Sequence, residues 1–166
     1  MKTILAYIFV AFLILVNGCQ PQQEQKPAFT DTEKETIQKE VKDQFNQLVG
    51  ALNKIDSAAW SELYSKEEFV SAIVGTDYYG ERGEWVDLIT NYFSTRETQK
   101  VEPIEVRVTA LSPELALMTS EEKTEMVLKS GENIKSKHVF TMLWKKGKDG
   151  WKILHSHESW MNEKVQ

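Results

Sequence analysis

Gly147-Lys148-Asp149-Gly150-Trp151-Lys152-Ile153-Leu154-His155-Ser156-His157-Glu158-Ser159-Trp160 opens with a turn bracketed by two glycines and continues into a run with the composition of a strand. A turn that tight joins antiparallel neighbours, so residues 135–146 must be the partner of residues 151–160. Working back, Ser130-Gly131-Glu132 returns the chain from a strand at 115–129, and Ser112-Pro113-Glu114 returns it from one strand earlier. In that earlier strand Ile104, Val106 and Val108 alternate with Glu105, Arg107 and Thr109, and Pro103 marks its start or an edge. The C-terminal half is therefore read as four consecutive antiparallel strands.

The N-terminal half has a different period. Ile37, Val41, Phe45, Leu48, Leu52 and Ile55 recur at steps of three and four, which draws one narrow stripe along a long helix. Thr32 and Glu35 have the spacing of a capping box, and Asp31, Glu33 and Glu35 suit the positive end of the helix dipole. Asp56-Ser57 starts a shorter second helix with Trp60, Leu63 and Tyr64 on its inner side. Residues 69–74 read as a short strand closed by Gly75, residues 76–83 as a glycine-rich loop, and Trp85, Leu88, Ile89, Tyr92 and Phe93 as a third helix. A stripe on a helix and a half-apolar sheet need each other. The fold class is α+β, three N-terminal helices packed on a curved, mostly antiparallel sheet.

The chain has 166 residues, too few for two full lobes, and its one cysteine excludes a disulfide scaffold. Twenty basic residues stand against 25 acidic ones with no basic block, which argues against nucleic acid as a partner. The sole cysteine sits in an informative place. Met1-Lys2 leads into an apolar run at 4–16, shorter than the roughly 20 residues that span a bilayer, and then Val16-Asn17-Gly18-Cys19. That ending resembles a bacterial lipoprotein box, in which the cysteine takes a lipid and becomes the first residue of the mature chain. Residues 1–18 are thus expected to be a lipoprotein signal peptide. Residues 19–30 are expected to be the lipidated cysteine and a polar, proline-bearing tether, and 31–166 the domain. Gln20 rather than aspartate follows the cysteine, which points to the outer membrane if the host is a diderm bacterium.

Three pieces of the domain, in this order, resemble the nuclear-transport-factor-2-like superfamily, its SnoaL-like branch above all. They are the amphipathic first helix running into Asp56, the segment from Gly75-Thr76-Asp77 through the glycine-rich loop to Trp85, and the terminal Gly150-Trp151 strand with His155 and His157. The association domain of calcium/calmodulin-dependent protein kinase is similar in pattern. The resemblance implies a cone-shaped fold, a pocket between the helices and the concave face of the sheet, and a homodimer through the other face. Leu143 and Leu154 are expected on that other face.

The same resemblance directs attention to the aromatic residues. Trp60, Tyr64, Tyr78 and Trp85 come from segments expected to rim the cavity, whereas Phe93 and Trp144 read as core. His155 and His157, two apart on a strand, leave the same face and are expected to line the pocket with Glu122 and His138. Paired histidines suit a metal, but no third ligand stands at a recognisable spacing, so neither metal nor cofactor is assigned. Asp77 joins Glu122 and the three histidines as a candidate for acid–base work, without forming a dyad in the sequence. Residues 121–125 read as a charged outer face with one or two members turned inward. Arg82, Arg96 and Arg107 all lie outside the last three strands, which argues against an arginine-lined anion site.

The expected function is that of a membrane-anchored envelope lipoprotein. Its pocket binds a small, partly apolar ligand or a protein partner. The alternatives are an acid–base enzyme of the isomerase or dehydratase type and a non-catalytic dimerisation module. Replacing Cys19 with Ala should leave an unprocessed precursor or release a soluble exported form, read by membrane fractionation. A Cys19→Ala chain that matures normally and still sediments with membranes would refute the anchor.

Overall fold

Each half of the chain leaves one apolar surface that water penalises, and the fold is the arrangement that brings the two together. The computed structural model describes residues 29–162; Cys19, the signal segment and the tether lie outside the described residues. The elements are α1 (Asp31–Asn53), α2 (Ser57–Ser61), β1 (Ser71–Val74), β2 (Asp77–Tyr79), α3 (Arg82–Ser94), β3 (Arg96–Ser112), β4 (Leu115–Leu128), β5 (Asn133–Gly147) and β6 (Gly150–Asn162). No helix among the described residues is long and apolar enough to cross a membrane.

α1 starts two residues earlier than expected. The sequence contains two overlapping capping boxes, and the structure uses Thr30 with Glu33 in place of Thr32 with Glu35. Thr30 Oγ1 accepts from the Glu33 amide at 3.2 Å, and Glu33 Oε2 accepts from the Thr30 amide at 2.8 Å. The earlier start places Phe29 against the core, with the Lys34 ammonium 5.8 Å above its ring. Ile37, Val41, Phe45, Leu48 and Ala51 are buried along one face. Ile55 falls outside the helix, in the left-handed region at φ 56, a conformation that costs a β-branched residue. That reversal lets Asp56 cap α2 at once, its Oδ1 accepting from the Ala59 amide at 2.9 Å.

All six strands form one sheet in the order β2-β1-β6-β5-β4-β3. Its neighbours are antiparallel except β1 and β6, which run parallel. Residues 77–79, expected as loop, instead form a hairpin strand against β1. The short strand expected between the second and third helices is present. The β1–β2 hairpin separates α2, only five residues long, from the 13-residue α3. Pro103 lies within β3, beyond its expected boundary role; β3 is an edge strand and its register shifts between Pro103 and Glu105, so the missing N–H breaks no ladder that the sheet needs.

One irregularity decides which side chains face the helices. Leu143 pairs with His155 and Trp144 with Ile153, so Leu154 is an extra, bulged residue in β6. Before it, Trp151 and Ile153 point into the core; after it, alternation resumes one residue out of step. Ser156 and Glu158 therefore turn inward, and His155 and His157 go to the convex side.

α1 is tied down near its middle and at its C-terminal end. Glu40 Oε2 accepts from Trp151 Nε1 and from Lys146 Nζ, both at 2.8 Å. At the far end the Asn53 side chain pairs with both backbone groups of Val101, and Gln99 Nε2 donates to the Leu52 carbonyl at 2.9 Å. Between these ties Val41 and Phe45 belong to the close-packed core with Met118, Met142, Trp144 and Ile153. Phe45 is buried at the centre of that packing, so Phe45→Ala should cost about 3–5 kcal/mol in a urea titration. Val139→Ala, on a half-exposed convex position, should stay within about 0.5 kcal/mol. Equal losses at the two sites would contradict this placement of the core.

Candidate functional site

The cavity begins where the solid core ends. The first helical turn after Asp56 places Trp60 and Tyr64 with ring centroids 4.7 Å apart, and α3 brings Trp85 to 5.6 Å from Trp60 and 6.1 Å from Tyr64. These three were expected to rim the cavity. Instead they are buried and form an inner wall, because α2 and α3 fold their aromatic faces against each other and not outward. Leu48, Leu52, Ile89, Phe93 and Phe140 complete an apolar lining around about 70 Å³ of space. A drug-sized ligand needs about 300–1,000 Å³, so this cavity admits only a ligand of a few non-hydrogen atoms as it stands.

Into this lining the sheet projects a polar cluster, one residue from each of three adjacent strands. Glu122 on β4 is directly opposite His138 on β5, and Glu158 on β6 is opposite Phe140, one inward position along. His138 Nδ1 is 2.5 Å from Glu158 Oε1, and Ser136 Oγ is 2.7 Å from His138 Nε2. With Nδ1–H donating to the carboxylate, a neutral ring accepts from the serine at Nε2. The Phe140 ring stacks on the imidazole at 6.0 Å and 7°. Glu122, 1% exposed, accepts from Ser120 Oγ at 2.9 Å. Burial pushes its carboxyl up to about 7, with the negative Glu158 adding to the rise while Ser120 and His138 oppose it. Desolvation likewise raises the Tyr64 hydroxyl, which donates to Ser156 Oγ at 3.2 Å.

Glu122, His138, Trp60, Tyr64 and Trp85 thus share one cavity, as expected. His155, His157 and Tyr78 do not line it. The Leu154 bulge puts both histidines on the convex face, where His155 Nδ1 lies 2.8 Å from Ser71 Oγ and His157 is exposed. Tyr78 is carried outward by the β1–β2 hairpin, and Asp77 beside it is exposed. The histidine pair and its possible third ligands, His138 and Glu122, are separated by the sheet. Among the described residues no three such groups are placed to hold a metal ion. In residues 121–125 Glu122 turns inward. Glu121 and Glu125 stay outside, paired with Lys137 and Lys135 at 2.7 and 2.6 Å.

Two lining residues escaped the sequence reading. Glu158 was missed because regular alternation from Trp151 sends it outward; the adjacent apolar residues Ile153 and Leu154 were the available sign of a bulge. Arg96 corrects the argument against an arginine in the pocket. It reaches the cavity from the first turn of β3, its guanidinium carbon 5.4 Å from the Phe93 centroid and 5.8 Å from that of Tyr92. Its Nη1 donates to Gln99 Oε1.

The sequence profile of the SnoaL-like domain matches residues 41–163. Among curated proteins none matches the sequence. Among solved structures, the fold is similar to that of a nuclear transport factor 2-like superfamily protein from Salmonella enterica. That protein is 15% identical with a TM-score of 0.69, over 79% of this chain and 95% of the other. It is also similar to hexachlorocyclohexane dehydrochlorinase from Novosphingobium barchaimii, at 12% identity and TM-score 0.66, over 82% and 97% of the two chains. A protein of the same superfamily from Streptomyces avermitilis is 20% identical, with TM-score 0.65 over 73% and 93%. At these identities the likeness is one of fold.

The buried carboxyl makes stability depend on pH. Between 4.5, its ordinary value, and about 7 the folded chain holds a proton on Glu122 that the unfolded chain has lost, so stability falls as pH rises through that window. Glu122→Gln removes the cost. The variant should exceed the parent at pH 8 by on the order of 3 kcal/mol more than at pH 5, read from urea midpoints. A gap that does not change between the two pH values would show that Glu122 ionises freely.

Proposed function

The chain belongs to the SnoaL-like domain family, and from that premise we propose that it is an envelope lipoprotein, anchored through Cys19, whose cavity binds a small, partly apolar molecule. The observation that carries the binding reading is the convergence of Glu122, His138 and Glu158 on one end of an otherwise aromatic and aliphatic cavity. A core gains nothing from three titratable groups, since each must shed its water. A ligand site uses a few such groups to orient its guest. The anchor rests on the sequence ending at Cys19, and outer-membrane placement in a diderm host rests on Gln20. Native mass spectrometry of the full chain purified from its host should show a small adduct that is lost from a Glu122→Gln, His138→Ala double variant. A parent chain that carries no adduct, like the variant, would overturn the reading.

One observation favours a second reading. Glu122, with its carboxyl near 7, faces an imidazole held by a carboxylate, and a group of that pKa can both give and take a proton at working pH. On this reading the protein is an acid–base enzyme, as the dehydrochlorinase of similar fold is an enzyme. Turnover would then inflect near pH 7 and vanish in Glu122→Gln while binding persists.

A homodimer through the convex face is part of the proposal. Leu117 and Leu143 are cross-strand partners there and Val139 is 49% exposed. Leu154, expected on that face, is covered within the monomer and adds nothing to it. Sedimentation at micromolar concentration should give the dimer mass, and Val139→Lys should give the monomer.

A further inference from the structure

Within the polar cluster the guanidinium of Arg96 and the carboxylate of Glu158 do not form an ion pair. Arg96 is partly buried against Tyr92 and Phe93, and its side-chain hydrogen bond goes to the neutral Gln99 carbonyl. Among the described residues no carboxylate lies within ion-pair distance of it. Desolvation disfavours a guanidinium so placed unless a counter-charge arrives. Glu158 is the acid that acts on it electrostatically, but His138 already holds that carboxylate at 2.5 Å. The cavity between them is lined by Leu52, Ile89, Phe93 and Met126, which suit an alkyl body and no second charge.

We infer that the ligand is a short-chain carboxylic acid, its carboxylate paired with Arg96 and its alkyl part against the aliphatic and aromatic wall. This rests on the small-molecule reading of the same cavity and adds the chemical class. The guanidinium offers two parallel donors to a carboxylate, and about 70 Å³ accommodates only a few non-hydrogen atoms. A cationic guest is disfavoured, because it would meet Arg96 while both carboxyls are otherwise engaged, Glu158 by His138 and Glu122 by Ser120.

Acidity should control the affinity. The groups facing Glu122 are His138 from β5, Glu158 from β6, Arg96 from β3, Tyr64 from α2, and Ser120 and Thr124 on its own strand; α1 and α3 present Leu48, Leu52, Ile89 and Phe93, without charge. Once Glu122 ionises, a bound carboxylate faces a second buried anion. Binding should therefore be tighter below its titration than above it.

The test is titration of the full chain with acetate, propionate and butyrate, and with acetamide and propionamide as neutral controls. Tryptophan fluorescence reads occupancy, because Trp60 and Trp85 form the wall. The acids should quench saturably at about pH 6 and bind roughly tenfold more weakly at about pH 8, as expected for one group titrating between. Arg96→Gln should abolish quenching, Arg96→Lys should weaken it, and Glu122→Gln should bind equally at both pH values. Circular dichroism checks that each variant is folded. Amides binding as tightly as acids, or Arg96→Gln binding like the parent, would overturn the carboxylate assignment and leave the pocket reading standing. If neither series binds and the chain from its host carries no adduct, both readings fall.

Discussion

The structure depends on one helix being held across the concave face of a sheet at two points. Near its middle, Glu40 takes the indole N–H of Trp151 and the ammonium of Lys146 on the β5–β6 hairpin. At its end, Asn53 satisfies both backbone groups of Val101 on an edge strand that would otherwise leave them to solvent. Everything between is set by what α1 faces. Ile37, Val41 and Phe45 belong to the close-packed core with Met118 and Trp144; Leu48 and Leu52, further along, line the cavity with Glu122 and His138.

That opening has a thermodynamic cost. Glu122 is almost wholly removed from water and keeps its proton to about pH 7, because burial disfavours the charged form. His138 and Glu158 offset each other's desolvation through a short hydrogen bond, and Ser136 occupies the remaining ring nitrogen. Among the described residues Arg96 meets the Gln99 amide and two aromatic rings. Such an arrangement costs the chain some of its own stability, and on the proposed reading that cost accompanies affinity for a ligand.

The two faces of the sheet divide their tasks accordingly. The concave side buries the core and the polar cluster. The convex side carries ion pairs such as Lys137–Glu121 beside the apolar positions Leu117, Val139 and Leu143. Substitutions there should leave the cavity untouched, since the strands pass the two sets of side chains in opposite directions.

The sequence by itself determined the elements and the layer they form. The stripe from Ile37 to Leu48, the Asp56 cap, and the turns at Gly131 and Gly150 are local features, and the local chain realises them whatever its surroundings. The resemblance to the superfamily, not a spacing in the chain, directed attention to Trp60, Tyr64, Trp85, Glu122 and His138, which share one cavity. Only the tertiary structure decided the rest. Leu154 becomes a bulge through pairing between β5 and β6, and that single extra residue exchanges His155 and His157 for Ser156 and Glu158. Arg96 reaches the cavity because α3 ends beside it and β3 starts there, a proximity that no spacing within the sequence encodes. Residues 77–79 likewise pair with β1 only because β1 itself finds an edge on β6, an order set by contacts about 80 residues apart in the chain.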